Sequence, residues 1–191
     1  MERGSLILVL GGARSGKSAL AEKLAASSND VVYVATAYVK DEEMVKRVEK
    51  HQSRRPSGWR TVEAPIDLVD TVATEGSKAD TLLIDSLGMW LSNLLEHHLS
   101  GKELNYDENE LMMEKILLKV KELALMANKV KSRVILVTDE VGMGLIPPYP
   151  LGRMYRDLLG SANQEMARFA DNVYFVVAGL PITLKGSILE E

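Results

Sequence analysis

The chain has 191 residues, of which 46% are hydrophobic and 26% charged, with a net charge of −4 and no cysteine. Those proportions exclude a disordered, collagen-like or coiled-coil chain and argue for one compact domain. Net charge of that sign excludes nucleic-acid binding by bulk charge. The missing thiols exclude disulfide scaffolds, thiolate zinc sites and cysteine nucleophiles, and make a reducing cytoplasm the expected compartment.

Taken in chain order, apolar runs alternate with helical patterns, which predicts an α/β fold layered on a mostly parallel sheet. Leu6–Leu10 reads as a buried strand, too short for a signal-peptide core and closely followed by Arg14 and Lys17. A helix is expected over Ser18–Ser27 and a strand over Val31–Val34. Asp41–Gln52 carries helix signals, with Met44, Val48 and His51 on one face. Arg54–Trp59, with Pro56 and Gly58, reads as loop. A strand at Thr81–Ile84 and a helix from about Leu87 to His97 follow, then a polar connection over Ser100–Asn109. Leu111–Val130 reads as a long amphipathic helix whose Met112, Met113 and Met126 belong to core or interface, and Val134–Thr138 as a buried strand. Gly142–Pro150 is expected to be an exposed loop, the residues from Leu151 to Phe169 a helix, and Val173–Val177 the last strand. No apolar run approaches the roughly 20 residues of a membrane span.

The strongest signal is Gly11-Gly12-Ala13-Arg14-Ser15-Gly16-Lys17-Ser18, a G-x-x-x-x-G-K-[ST] sequence between an apolar strand and a helix. Glycines let the backbone curl so that successive N–H groups point at phosphate oxygens, and the helix start adds a positive dipole. Lys17 can neutralise charge on β- and γ-phosphates, and the Ser18 hydroxyl can ligate Mg²⁺. Such a loop needs an acidic partner on a neighbouring strand. Asp85 is favoured because its strand ends on it and a helix follows directly; Asp139 and Glu140 are the other candidates. Asp85-Ser86-Leu87-Gly88 also fits the D-x-x-G of switch GTPases, but Asn128-Lys129-Val130-Lys131 lacks the acid of the N-K-x-D guanine-reading motif.

Lys46, Arg47, Lys50, Arg54, Arg55 and Arg60 form a basic island opposed only by Glu49. Composition leaves two readings open, a solvated helix face and a clamp for an anionic ligand. His51 lies inside it and also has two readings: a packed structural histidine, or a nucleophile whose neutral imidazole attacks phosphorus. His97 and His98 read as surface residues.

With these blocks the chain resembles the adenosylcobinamide kinase/adenosylcobinamide-phosphate guanylyltransferase family of cobalamin biosynthesis over nearly its whole length. The resemblance is carried by the Gly11–Ser18 loop and by Tyr33-Val34-Ala35-Thr36-Ala37. It continues through Asp41-Glu42-Glu43-Met44, Arg47, His51, Arg55-Pro56, Trp59-Arg60-Thr61, Glu63, Asp85 and Trp90-Leu91-Ser92-Asn93-Leu94-Leu95. It ends with Thr138-Asp139-Glu140-Val141-Gly142-Met143-Gly144, Arg153, Tyr155, Arg156-Asp157, Gly160 and Asn163-Gln164. One departure is visible: the family commonly has Asn before Glu-Val-Gly, and here Asp139 stands there.

The resemblance implies a RecA-like P-loop fold with three layers, in a single nucleotide-binding domain over residues 1–191 with a small projecting segment around 38–60. It implies two reactions: phosphorylation of adenosylcobinamide by ATP or GTP, then transfer of GMP from GTP through a guanylyl-histidine to adenosylcobinamide phosphate. The family's guanylylated histidine falls on His51. Nucleotide contacts fall on Gly11, Gly12, Ala13, Arg14, Ser15, Gly16, Lys17 and Ser18, on Ala35 and Thr36, on Gln52, Ser53, Arg54 and Arg55, and on Glu63 and Asp85. Mg²⁺ is expected on Ser18 and Asp85, and a homo-oligomer, a trimer by resemblance, is the expected assembly.

Overall fold

The computed structural model describes residues 4–38, 55–99 and 105–189. Seven strands form one sheet in the order β3-β2-β4-β5-β1-β6-β7. Their ranges are Leu6–Gly11 (β1), Val31–Ala35 (β2), Arg60–Glu63 (β3), Thr81–Asp85 (β4), Arg133–Asp139 (β5), Asn172–Val177 (β6) and Leu180–Lys185 (β7). The first six are parallel, and β7 returns antiparallel beside β6. The described helices are Lys17–Ala25 (α1), Leu68–Glu75 (α2), Leu87–Leu99 (α3), Tyr106–Lys129 (α4) and Pro150–Phe169 (α5).

The central strands are continuous apolar runs because both sheet faces are covered. Alternate side chains split into two cores. Leu6, Leu8, Val34, Leu82, Ile84, Val134 and Leu136 pack with residues of α2, α3, α4 and α5. Ile7, Val9, Val31, Leu83, Ile135 and Val137 pack with Ala21 and Ala25 of α1. Helix, sheet and helix thus make three layers, as the alternation of strands and helices predicts.

α3 is fastened to the carboxyl ends of β2 and β3. Trp90, fully buried, donates from its indole nitrogen to the Ile66 carbonyl at 2.8 Å. Asn93 Nδ2 donates to the carbonyls of Thr36 at 2.7 Å and Pro65 at 3.1 Å. The Thr36 hydroxyl donates to the Ser86 carbonyl at 2.8 Å and accepts from the Ser86 N–H at 2.7 Å.

Three sequence readings need correction. Val173–Val177 is not the last strand: Ala178 and Gly179, with φ of 52° and 82°, turn the chain into β7. That pair of positive φ values is the signature of a tight hairpin turn, and Pro181 is tolerated because β7 is an edge strand. The polar stretch before Leu111 is partly helix, because α4 begins at Tyr106. Asn105 and Glu108 form a reciprocal capping box, and the first turn is polar because it faces solvent. β3 and α2, short and weakly patterned, fill a region for which periodicity gives no element. The helix expected over Asp41–Gln52 lies outside the described residues.

Asn93→Ala is expected to lower unfolding free energy by about 2–4 kcal/mol, because it takes the amide donor from the buried Thr36 carbonyl and the half-buried Pro65 carbonyl at once. Chemical denaturation checks this; a loss below ~1 kcal/mol means the tie to Thr36 and Pro65 contributes little.

Candidate active site

Parallel strands bind ligands in the crevice outside their carboxyl ends. Those ends here carry Gly11 on β1, Ala35 on β2, Glu63 on β3, Asp85 on β4 and Asp139 on β5. Register sets Gly11 beside Asp139, Asp85 beside both Val137 and Ala35, and Ala35 beside Glu63. β5 therefore stands between the glycine-loop strand and the strand ending in Asp85.

The loop leaves β1 at Gly11, whose carbonyl accepts the Glu140 N–H at 3.0 Å. Ser15 N–H donates back to the Gly12 carbonyl at 3.2 Å, closing the turn. Arg14 is in the left-handed region at φ 57°, and Gly16 stands at φ 101° as the residue before α1. A Cβ on Gly16 would lie 3.1 Å from the Gly179 Cα, so a side chain is disfavoured by conformation and by space alike. Gly179 N–H donates to the Ser15 carbonyl at 2.7 Å, so the β6–β7 turn buttresses the loop from behind. α1 has no side-chain cap and no acid in its first turn, which leaves its leading N–H groups for an anion. The buried Ser15 hydroxyl has no hydrogen-bond partner.

Lys17 points back into this loop. Its Nζ donates to the Gly12 carbonyl at 3.2 Å and pairs with Asp139 Oδ1 at 2.7 Å. Glu140 looks elsewhere: its carboxylate accepts from the N–H groups of Gly142 at 2.7 Å and Met143 at 3.2 Å. That pins the start of a loop exposing Met143, Leu145 and Ile146.

Asp85 has its own partners. The Tyr33 hydroxyl donates to its carboxylate, and the Arg55 guanidinium lies 3.2 Å above the centre of the Tyr33 ring. Burial, then the Asp85 charge, push the Tyr33 phenol far above its ordinary range, against the pull of Arg55. The phenol is therefore a fixed donor that orients Asp85. Arg55 Nε is buried without a partner. On the other side of the cleft, Tyr155 donates to the Gly88 carbonyl at 3.2 Å; burial and then Asp139 push its phenol up to about 12.

The structure brings the loop, Ala35, Thr36, Glu63, Arg55 and Asp85 to one edge of the sheet. Glu63 is exposed, whereas the Thr36 side chain is fully buried and committed to Ser86, so what Thr36 does directly is position α3. His51, Gln52, Ser53 and Arg54 lie outside the described residues. Sequence reasoning missed Tyr33 as the partner of Asp85, Tyr155 beside Asp139, and Gly179 behind the loop. Tyr33 and Tyr155 sit in blocks that the resemblance quotes, but their partners are distant in sequence. The Ala178-Gly179 pair is not among the Asn-Gly, Asp-Gly or Gly-Gly signals of a tight hairpin, so only the structure reveals that turn.

Strand order, glycine loop and opposed carboxylates define an α/β P-loop nucleotide-binding protein. Solved structures share the fold: a prototypical type III secretion ATPase from pathogenic bacteria has a TM-score of 0.61 at 12% identity. The assembled ATPase EscN from enteropathogenic E. coli gives 0.57 at 12%. The match covers 95% and 92% of this chain, but the chain spans only 57% and 43% of those proteins. More particularly, residues 7–184 match the cobinamide kinase / cobinamide phosphate guanyltransferase family, and the chain belongs to it. It is 42% identical to the bifunctional adenosylcobalamin biosynthesis protein CobP of Pseudomonas aeruginosa, covering 95% of this chain and 98% of that one. It is 36% identical to the similarly named CobU of Escherichia coli, covering 94% and 99%.

Lys17→Ala is expected to cut phosphoryl transfer by roughly 10²–10³, the loss of one charge-assisted contact in a preorganised site. Steady-state turnover with saturating acceptor checks it, and activity near wild type would remove the loop from the chemistry.

Proposed function

We propose that this one cleft serves both transfers on the same corrinoid. In the first, the hydroxyl of the aminopropanol arm of adenosylcobinamide takes the γ-phosphoryl of ATP or GTP. In the second, GTP gives GMP to a histidine and releases pyrophosphate; the phosphate made in the first step then takes the GMP, giving adenosylcobinamide-GDP. The observation that carries this reading is the family match over residues 7–184, joined to a glycine loop whose lysine faces the carboxyl edge of the sheet. Both relatives named above are called bifunctional, which supports two activities in one chain.

The roles follow from chemistry. The loop N–H groups and the start of α1 cradle phosphates, and Lys17 offsets charge on the group in flight. Ser18 and Asp85 offer hard oxygens suited to Mg²⁺, which keeps several waters and needs only one or two protein ligands beside the phosphates. α1 packs across β1, β5 and β4, which carries Ser18 toward the Asp85 side. Bound there, the ion supplies Lewis-acid neutralisation of phosphate charge. Asp85 suits this role better than Asp139, whose carboxylate is engaged by Lys17. Ala35, Gln52, Ser53, Arg54, Arg55 and Glu63 complete the nucleotide contacts, Thr36 acts through Ser86 and α3, and Arg55 retains an unpaired N–H for a ligand.

His51 is the histidine of the second transfer. Its neutral imidazole attacks the α-phosphorus of GTP, the N–P bond forms as the P–O bond to pyrophosphate breaks, and the surrounding arginines offset the departing charge. The chain works as a single domain, residues 1–191, with a projecting segment around 38–60. It acts in the cytoplasm as a homo-oligomer, a trimer by resemblance. A sequence without cysteine suits that reducing compartment. Among the described residues no helix is long and apolar enough to cross a membrane.

Two substitutions test the roles. His51→Asn is expected to abolish covalent label from GTP carrying its label on the α-phosphate while phosphorylation of adenosylcobinamide persists in part. Mass spectrometry after incubation with GTP and Mg²⁺ should locate one GMP on His51 in the unsubstituted chain; label retained at full level by His51→Asn assigns the nucleophile elsewhere. Asp85→Asn is expected to weaken Mg²⁺-dependent turnover more than metal-free nucleotide binding. A larger metal-dependent loss in Asp139→Asn or Glu140→Gln would move the metal to the other strand.

A further inference from the structure

Lys17 is paired within the loop. Its ammonium meets Asp139 Oδ1 at 2.7 Å and the Gly12 carbonyl at 3.2 Å, and its side chain is 13% exposed. The Asp139 carboxylate does not arrive there by chance. Its backbone is held in register with Gly11, and Asn163 Nδ2 donates to its carbonyl at 3.0 Å. Asn163 is itself fixed by the buried Thr138 hydroxyl at 2.7 Å. On its other side Oδ2 faces Gly88, where an added Cβ would come within 3.2 Å of it. The neighbouring acids are committed otherwise, Asp85 to Tyr33 and Glu140 to the Gly142 and Met143 N–H groups.

We propose that Asp139 is a positioning residue for Lys17, whose carboxylate holds the ammonium inside the loop and competes for it with the triphosphate. The inference rests on the loop being the triphosphate site, as argued above. One anion then exchanges for another around the same ammonium. Lys17 stays oriented and shielded between turnovers, and an incoming phosphate must outcompete a carboxylate fixed to the sheet. A polyphosphate reaching the loop N–H groups at several points wins this exchange. A lone phosphate, making fewer contacts, meets the same cost, so breaking the pair lowers the affinity of every phosphate that takes the ammonium by the same factor.

The test is calorimetric titration of the full chain with GTP in excess chelator, so that no metal contributes. Four proteins are compared: unsubstituted, Asp139→Asn, Lys17→Ala and the double variant. Asp139→Asn keeps the shape but releases the ammonium, and is expected to bind GTP about three- to tenfold more tightly, the range for a partly exposed ion pair that no longer has to be broken. The same substitution in the Lys17→Ala background is expected to change affinity less than twofold, because no ammonium is left to release. Titration with inorganic phosphate should show a gain of the same size, because the same pair no longer has to be broken. Unchanged or weaker GTP binding by Asp139→Asn overturns the proposal. An equal gain in both backgrounds also overturns it, since that is plain repulsion between a carboxylate and phosphates. If Lys17→Ala leaves GTP affinity untouched, the loop reading itself fails, a result distinct from either of those.

Discussion

The whole arrangement depends on β1 being held between two parallel partners. Leu6 to Val9 are almost completely buried, and β5 and β6 bond the strand on both sides up to Gly11. Only a strand fixed in this way can deliver a glycine-rich turn to solvent with its N–H groups aimed outward. A frayed β1 would let the turn relax into ordinary loop conformations and lose the alignment that phosphate binding requires. The apolar run before the glycines and the glycines themselves are therefore two halves of one device.

Insertion of β5 between β1 and β4 separates two acidic functions that would otherwise compete. Adjacent strands lie about 4.8 Å apart, so Asp85 and the loop strand are roughly 10 Å apart across β5. Asp139, on the intervening strand, falls within reach of Lys17, while Asp85 is left to Tyr33 and the opposite wall. The sheet order thus assigns one carboxylate to the ammonium and leaves the other for different work. Both tyrosines beside these acids have phenols pushed toward the neutral form by burial, so each is a fixed donor rather than a titrating neighbour.

Much of this was legible in the sequence because the signals are local. The glycine loop, the buried parallel strands and the long α4 and α5 helices each announce themselves within a dozen residues. What escaped depends on partners far apart in the chain. Nothing near Tyr33 says that its hydroxyl will meet Asp85, and nothing near Lys17 says which acid will face it. The start of α4 was hidden for another reason: its first turn is solvent-exposed, so hydrophobic periodicity is silent and only the Asn105–Glu108 cap marks it. β7 escaped because its Leu180, Ile182 and Leu184 remain largely exposed, and it lacks the buried run by which the other strands were recognised.

The hydrogen bond from Gly179 to the Ser15 carbonyl has a consequence for the order in which the molecule assembles. A loop encoded in the first twenty residues is completed by a turn that lies beyond residue 175, one of the longest-range contacts the fold contains. During synthesis on a ribosome, which proceeds from the amino end, strands and glycines are present long before their buttress. The loop's last backbone tie is therefore made only after the β6–β7 turn has been synthesised, whatever the order in which the earlier strands pair.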